Sequence, residues 1–131
     1  MYAGYWMRKP PNILFLMTDQ QRWDGVGCAN PLVLTPNLDA LARRGIFFPQ
    51  AVCNAPMCIP SRYSLMLGLY PSQTGVRHNT QVCPTDDDLP LPPLPERLKS
   101  LGYQTACFGK THWYPGVRVG GDLPMMGSKR G

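Results

Sequence analysis

The apolar residues of this chain fall into short blocks, and the first of them has the pattern of a buried strand. Residues 12–18 read NILFLMT, a short continuous run typical of a strand covered on both faces in a parallel sheet. Residues 46–52 and 104–108 are two further candidate strands. Pro49 weakens the assignment of 46–52, because proline cannot donate to a strand ladder. The pattern therefore predicts three short strands.

Three segments with helical spacing lie between these strands. In residues 35–45, Thr35 is expected to cap a helix, a proline follows at its first position and a glycine ends it. Two more helices are predicted over 60–69 and 93–101, and the stretch 70–95 is predicted to be mostly a long loop. The order β-α-β-α-loop-α-β is typical of an α/β fold with a parallel sheet.

Polar side chains follow the ends of the predicted strands. Asp19 comes directly after the first strand and Lys110 after the third, and Cys58 lies six residues beyond the second. In parallel α/β sheets, binding and catalytic residues collect beyond the carboxyl ends of the strands. The sequence therefore predicts that these three side chains converge on one edge of the sheet.

Composition narrows the classes of partner. The chain has 131 residues, with 13 Lys and Arg against 8 Asp and Glu, which gives a net charge of +5. No run of basic residues lies along any predicted helix. A nucleic-acid partner is therefore not expected, and the longest apolar run is too short to span a membrane. Five cysteines lack the spacing of a zinc site, and the first residues do not form a convincing signal peptide. A cytoplasmic setting is predicted, with secretion left open.

The residues around Cys58 favour a catalytic role for this cysteine over a packing role. A lone cysteine is most often a small buried apolar residue. Here Pro60 is suited to a first helical turn, whose exposed N–H groups favour an anion. Arg62 lies one turn further on, where it can offer a planar guanidinium to an oxyanion. Cys58 and Arg62 are therefore a candidate catalytic pair.

Residues 58–62, CIPSR, match the C-x-P-S-R signature of type I sulfatases, in which the cysteine is converted to formylglycine. Three other segments resemble the same family in the same order: PNILFLMTDQQRWD, TPNLDALARRGIFFPQAV and LPERLKSLGYQTACFGKTHW. The resemblance runs from about residue 11 to residue 113. Leu67 and Thr111 depart from it, since threonine and tryptophan are common there. The chain thus resembles the N-terminal part of a formylglycine-dependent sulfatase.

The resemblance implies the alkaline-phosphatase-like fold, an α/β/α sandwich with a mainly parallel sheet, here truncated. Residues 1–10 would be an N-terminal extension, 11–114 the N-terminal part of the catalytic domain and 115–131 an irregular tail. Family members are much longer, and further metal and sulfate ligands lie downstream of the matching segments. The chain alone is therefore expected to be inactive and marginally stable.

The resemblance also implies a nucleophile and a metal site. Cys58 would become formylglycine, whose hydrated aldehyde attacks the sulfur of a sulfate ester and afterwards expels sulfate. Asp19 and Gln20, together with residue 58, would hold a divalent metal. Ca²⁺ is favoured over Mg²⁺ or Mn²⁺, and such cations take oxygen ligands. Without the resemblance, Asp19 is equally well explained as a turn residue.

Three more residues receive roles in the same way. Lys110 would neutralise sulfate oxygens, and His112 would steady the nucleophile or shuttle a proton. If the backbone is extended there, the two side chains point the same way. Lys110 and Asn79 are both candidates for contacting the substrate, and Asn79 is the weaker of the two. The expected partners are a sulfate-ester small molecule or glycan and a formylglycine-generating maturation enzyme.

Gln20 leaves the substrate open. Many sulfatases carry two consecutive aspartates at this point, and here the second is a neutral amide. Related phosphonate and phosphate monoester hydrolases also carry a single aspartate there, so they are an alternative. A non-catalytic, truncated remnant is a second alternative.

Overall fold

The computed structural model describes residues 10–112, and its regular secondary structure is helical. The α helices are α1 (Pro36–Arg44), α2 (Cys58–Leu67), α3 (Pro71–Thr74) and α4 (Leu94–Ser100), with a 3-10 turn at Asp86–Asp88. The chain divides between Pro49 and Gln50 into two compact units. The tail predicted over 115–131 and most of the predicted extension 1–10 lie outside the described residues. No helix in the described part is long and apolar enough to cross a bilayer.

The three predicted helices are confirmed, with shifted ends. α1 matches the prediction closely, and α4 lies inside the predicted span 93–101. α2 begins and ends two residues earlier than predicted, and Gly68 terminates it with φ 70, a left-handed value that glycine adopts without steric cost. The predicted loop 70–95 is wrong in part, because it contains α3 and the 3-10 turn.

The structure corrects the strand assignments at 12–18, 46–52 and 104–108. No residue from 10 to 112 lies in a strand. A strand is defined by hydrogen bonds to a neighbouring strand, and none of the described segments supplies that neighbour. The apolar side chains of residues 13–17 are accordingly between 45% and 82% exposed. The parallel sheet of the α/β/α sandwich therefore stays a prediction.

In the first unit, Asp39 ties the preceding loop to α1. Its Oδ1 accepts hydrogen bonds from the backbone N–H of Cys28 at 2.9 Å and from the hydroxyl of Thr35 at 3.1 Å. The Thr35 hydroxyl in turn accepts the N–H of Gly27 at 2.7 Å, so Thr35 does not cap α1 with its side chain as expected. A Cβ at Gly27 would lie 2.8 Å from the backbone carbonyl oxygen of Val33 and 2.4 Å from Asp39 Oδ2, so this close approach requires glycine.

In the second unit, one face of α2 forms the centre of the core. Ile59, Tyr63 and Leu67 recur every four residues, which places them on one side of the helix. They pack with Val76 and Cys83, and both Tyr63 and Leu67 are at most 1% exposed. The helix that starts at Cys58 is therefore anchored by its own apolar side.

Arg97 of α4 fixes the other end of α2. Its Nη2 donates to the backbone carbonyl of Leu67 at 3.3 Å, and its Nε donates to the carbonyl of Pro92 at 2.7 Å. The last carbonyls of a helix have no partner inside it, so a cation with several donors stabilises them.

Leu67→Ala is expected to lower the free energy of unfolding by about 2–5 kcal/mol, because it leaves a cavity in the core. Leu65→Ala is the matched control, since Leu65 lies on the same helix but is 41% exposed. A surface substitution of this kind changes stability by about 0.5 kcal/mol. Urea unfolding followed by helical circular dichroism measures both, and equal losses would contradict the assigned core.

Candidate active site

Cys58 is the first residue of α2, and its side chain is half-buried. Met57 precedes the helix with an extended backbone, φ −132 and ψ 144. Pro60 lies in the first turn, where a missing N–H removes no helical hydrogen bond, and it is fully buried. The candidate nucleophile is therefore part of the first helical turn. The sequence placed it just before the helix.

Arg62 connects this helix to the segment that carries Lys110. The residue is only 6% exposed, and its Nη1 donates to the backbone carbonyl of Lys110, 48 residues further along the chain. A buried guanidinium must have hydrogen-bond acceptors, or its desolvation is costly. Because Cys58 and Arg62 are four residues apart on one helix face, this bond brings the Lys110 backbone to the start of α2.

The backbone at His112 differs from the prediction. Lys110 and His112 were expected to point the same way if the chain were extended, but His112 has φ 48, in the left-handed region. The condition for a common direction is therefore not met at His112. Lys110 is exposed, and its proposed contact with sulfate oxygens stays a prediction.

Left-handed backbone conformations coincide with predicted site residues. Among residues 10–112, Gln20 with φ 54 and His112 with φ 48 are the non-glycine residues of positive φ. Such conformations cost about 1–3 kcal/mol each and cluster at active sites and ligand clamps. Glutamine and histidine do not ordinarily adopt this backbone conformation. The positive φ values therefore indicate Gln20 and His112 as candidate site residues independently of the sequence motifs.

The predicted metal ligands lie in different units. Asp19 and Gln20 follow residues 12–18 in the first unit as exposed side chains, whereas Cys58 lies in the second. A carboxylate and an amide oxygen are suitable ligands for Ca²⁺ or Mg²⁺. However, the described residues contain no group of three or more His, Cys, Asp or Glu side chains placed to hold a metal. The site shared by Asp19, Gln20 and residue 58 stays a prediction.

Asn79 lies against the backbone next to Cys58. Its Oδ1 accepts the N–H of Ile59 at 3.0 Å, across 20 residues of sequence. The sequence predicted that Asn79 contacts substrate, and this contact with the start of α2 was not foreseen. No periodic pattern could have revealed it, because Asn79 is in neither a helix nor a strand.

Two other polar residues near the site were missed by sequence reasoning. Gln81 bridges the loop around Asn79, and the Cys53 thiol lies 3.5 Å from the hydroxyl of Ser61 in α2 while donating to the carbonyl of Ala55. Cys53 had a visible signal, its position five residues before Cys58. Gln81 had none that a single sequence reveals.

The other cysteines differ from Cys58 in their surroundings. All five are free thiols. Cys83 belongs to the core, and burial raises the pKa of its thiol, an effect that a hydrogen bond with Tyr63 partly offsets. A buried, protonated thiol is unreactive, so Cys83 is a packing residue.

Comparison with known proteins points to one family. The family model described as Sulfatase matches residues 11–121. The ulvan-active sulfatase of Formosa agariphila is 42% identical over 103 residues, which cover 78% of this chain and 19% of that protein. The steryl-sulfatase of Mus musculus is 38% identical over 112 residues, covering 79% and 18%. The N-acetylgalactosamine-6-sulfatase of Homo sapiens is 35% identical over 114 residues, covering 79% and 22%.

The chain spans about a fifth of the length of these curated relatives. No solved structure matches it.

Arg62→Met is expected to release the Lys110 segment, because methionine keeps an apolar stem of similar length but has no donor for the Lys110 carbonyl. Hydrogen bonds from charged donors are worth about 1.5–3 kcal/mol, so trypsin should cleave the Lys110–Thr111 bond about ten to a hundred times faster. Arg77→Met, which changes an exposed arginine, is the matched control. Cleavage after Arg44, in the first unit, serves as the internal reference. An unchanged rate at Lys110 would show that the bond does not hold the segment.

Proposed function

The chain belongs to the sulfatase family, and we propose that it is the N-terminal part of a sulfuric ester hydrolase whose nucleophile is formylglycine made from Cys58. Membership implies the alkaline-phosphatase-like α/β fold, and the parallel sheet is part of the proposal. One observation carries it. The C-x-P-S-R segment begins a well-anchored helix. Cys58 lies in its first turn, and the buried Arg62 lies one turn later along the chain.

The proposed roles follow from what each side chain can do. Formylglycine supplies a hydrated aldehyde, which can attack a sulfate ester and later release sulfate. Arg62 has several guanidinium donors in a planar fork, which can stabilise negative charge beside residue 58. Lys110 adds a second cation for the sulfate oxygens, and His112 is the candidate proton carrier.

The proposed metal ligands are the oxygens of Asp19 and Gln20, joined by residue 58. A bound Ca²⁺, or else Mg²⁺ or Mn²⁺, would polarise a sulfate oxygen as a Lewis acid. The chemistry of these two side chains fits a hard cation, since both offer oxygen. Ligands beyond the described residues are needed to complete the coordination.

The proposed partners are a sulfate-ester small molecule or glycan and a formylglycine-generating enzyme, in a cytoplasmic setting. The three relatives are named for different substrates: ulvan, a steryl group and N-acetylgalactosamine-6-sulfate. The proposal is therefore limited to the class of sulfate esters.

A phosphonate or phosphate monoester hydrolase of the same superfamily is the second candidate. Gln20 favours it, because an amide replaces a carboxylate and removes one negative charge from the proposed metal site. Less negative charge around the cation leaves it better able to bind the dianion of a phosphate monoester. A non-catalytic remnant remains the third candidate.

Co-expression with a formylglycine-generating enzyme, which supplies the oxidant, is expected to convert the CH₂SH group of Cys58 to an aldehyde. The sulfur leaves as hydrogen sulfide and the peptide mass falls accordingly. Cys53 and Cys58 lie in one tryptic peptide, so the peptide must be fragmented in the mass spectrometer to show which of the two is converted. Cys53→Ala should still be converted, whereas Cys58→Ala should not. An unmodified thiol in the presence of competent machinery would overturn the proposal.

Matured protein is expected to hydrolyse an aryl sulfate faster than the matching aryl phosphonate, when it is assayed together with the remaining sulfatase domain. Gln20→Asp should raise the ratio of kcat/KM for the aryl sulfate to kcat/KM for the matching aryl phosphate, because the restored carboxylate repels a phosphate dianion more strongly than a sulfate monoanion. Preference for the phosphonate would support the second candidate. No turnover of either substrate, despite conversion at Cys58, would support the remnant.

A further inference from the structure

The first turn of α2 needs an acceptor that the local sequence does not provide. Met57 makes no side-chain cap, Pro60 has no N–H, and the N–H of Ser61 already donates to the carbonyl of Met57. The N–H of Ile59 has no carbonyl to bind inside the helix, because helical bonds reach four residues back. The residue directly after the nucleophile therefore depends on a group from elsewhere.

Asn79 provides that group from 20 residues away. Its Oδ1 lies 3.0 Å from the nitrogen of Ile59. The orientation of the amide is fixed by chemistry, because only its oxygen can accept from an N–H. Asparagine is also among the best helix-capping residues, and it acts here on a helix to which it does not belong.

The loop that carries Asn79 is closed by the amide of Gln81. Its Oε1 accepts the N–H of Arg77 at 2.9 Å, and its Nε2 donates to the carbonyl of Gly75 at 2.5 Å. The side chain of Gln81, two residues after Asn79, thus binds the backbone two and four residues before Asn79 and closes the loop around it. These contacts hold the backbone around Asn79 in place without involving α2.

We propose that Asn79 is a positioning residue: its side-chain oxygen holds the Ile59 amide, and with it the first turn of α2 and the position of Cys58. Gln81 supports this contact by closing the loop. Since Oδ1 can only accept hydrogen bonds, a substrate oxygen that accepts one from Asn79 would bind its Nδ2. The contact itself is independent of the proposed function, and only its importance for catalysis rests on it.

Hydrogen exchange of the Ile59 amide in the unmatured 131-residue chain tests the proposal directly. Asn79→Ala removes the acceptor and should speed exchange at Ile59 about fivefold, the factor that corresponds to one hydrogen bond of ordinary strength. Asn79→Asp keeps an acceptor at the same place, and its charge suits a helix N-terminus, so exchange should stay close to the wild-type rate. His78→Ala, an exposed neighbour in the same loop, is the control.

The Gly68 amide, which donates to Ser64 at the far end of α2, should be unaffected in all variants. Equal acceleration at Ile59 and Gly68 would mean general destabilisation and would overturn the local role. So would an unchanged rate in Asn79→Ala, or a rate in Asn79→Asp as fast as in Asn79→Ala. If Asn79→Ala does not fold, Gln81→Ala tests the same contact by opening the loop, with faster exchange at Ile59 expected and an unchanged rate contradicting the proposal.

These measurements need no aldehyde at Cys58. Failure of Cys58 conversion would overturn the proposed function and leave the positioning role intact. Failure of the exchange experiment would overturn the positioning role and leave the proposed function intact.

Discussion

The second unit depends on how the first turn of α2 satisfies its polar groups. A helix start exposes N–H groups, and a buried arginine exposes further donors, so both need acceptors when water is excluded. Here the acceptors come from distant parts of the chain: the Asn79 side chain for Ile59 and the Lys110 carbonyl for Arg62. The apolar side of α2 adds non-directional burial, but these two bonds determine which segments meet at Cys58.

The helices could be predicted from sequence because their hydrogen bonds are local. Apolar spacing and boundary residues located α1 and α4 closely, and placed α2 within two residues. The strands could not be confirmed in the same way, because an apolar run such as 12–18 becomes a strand only beside a partner. The role of Thr35 was misjudged for a related reason, since its hydroxyl donates to Asp39 and accepts from Gly27 instead of capping the helix.

The candidate site shows the same division. Cys58 and Arg62 could be identified from residue types, helical spacing and a family signature, and the structure places them together on one helix. The bond from Arg62 to Lys110 joins residues 48 positions apart, and no spacing rule reaches that far. Asn79 was identified as a site residue, whereas its partner Ile59 and the loop closure by Gln81 required three-dimensional structure.

Backbone conformation adds a constraint that residue types do not reveal. Gln20 and His112 adopt left-handed φ values although neither is glycine, and both were singled out by sequence for chemistry. Such a conformation persists only where surrounding contacts compensate for its cost. In the proposed enzyme, the parallel sheet would hold both turns at the ends of its strands. Because the described residues form helices without that sheet, the helix that begins at the candidate nucleophile Cys58 is the part of the proposed site whose geometry this chain determines by its own contacts.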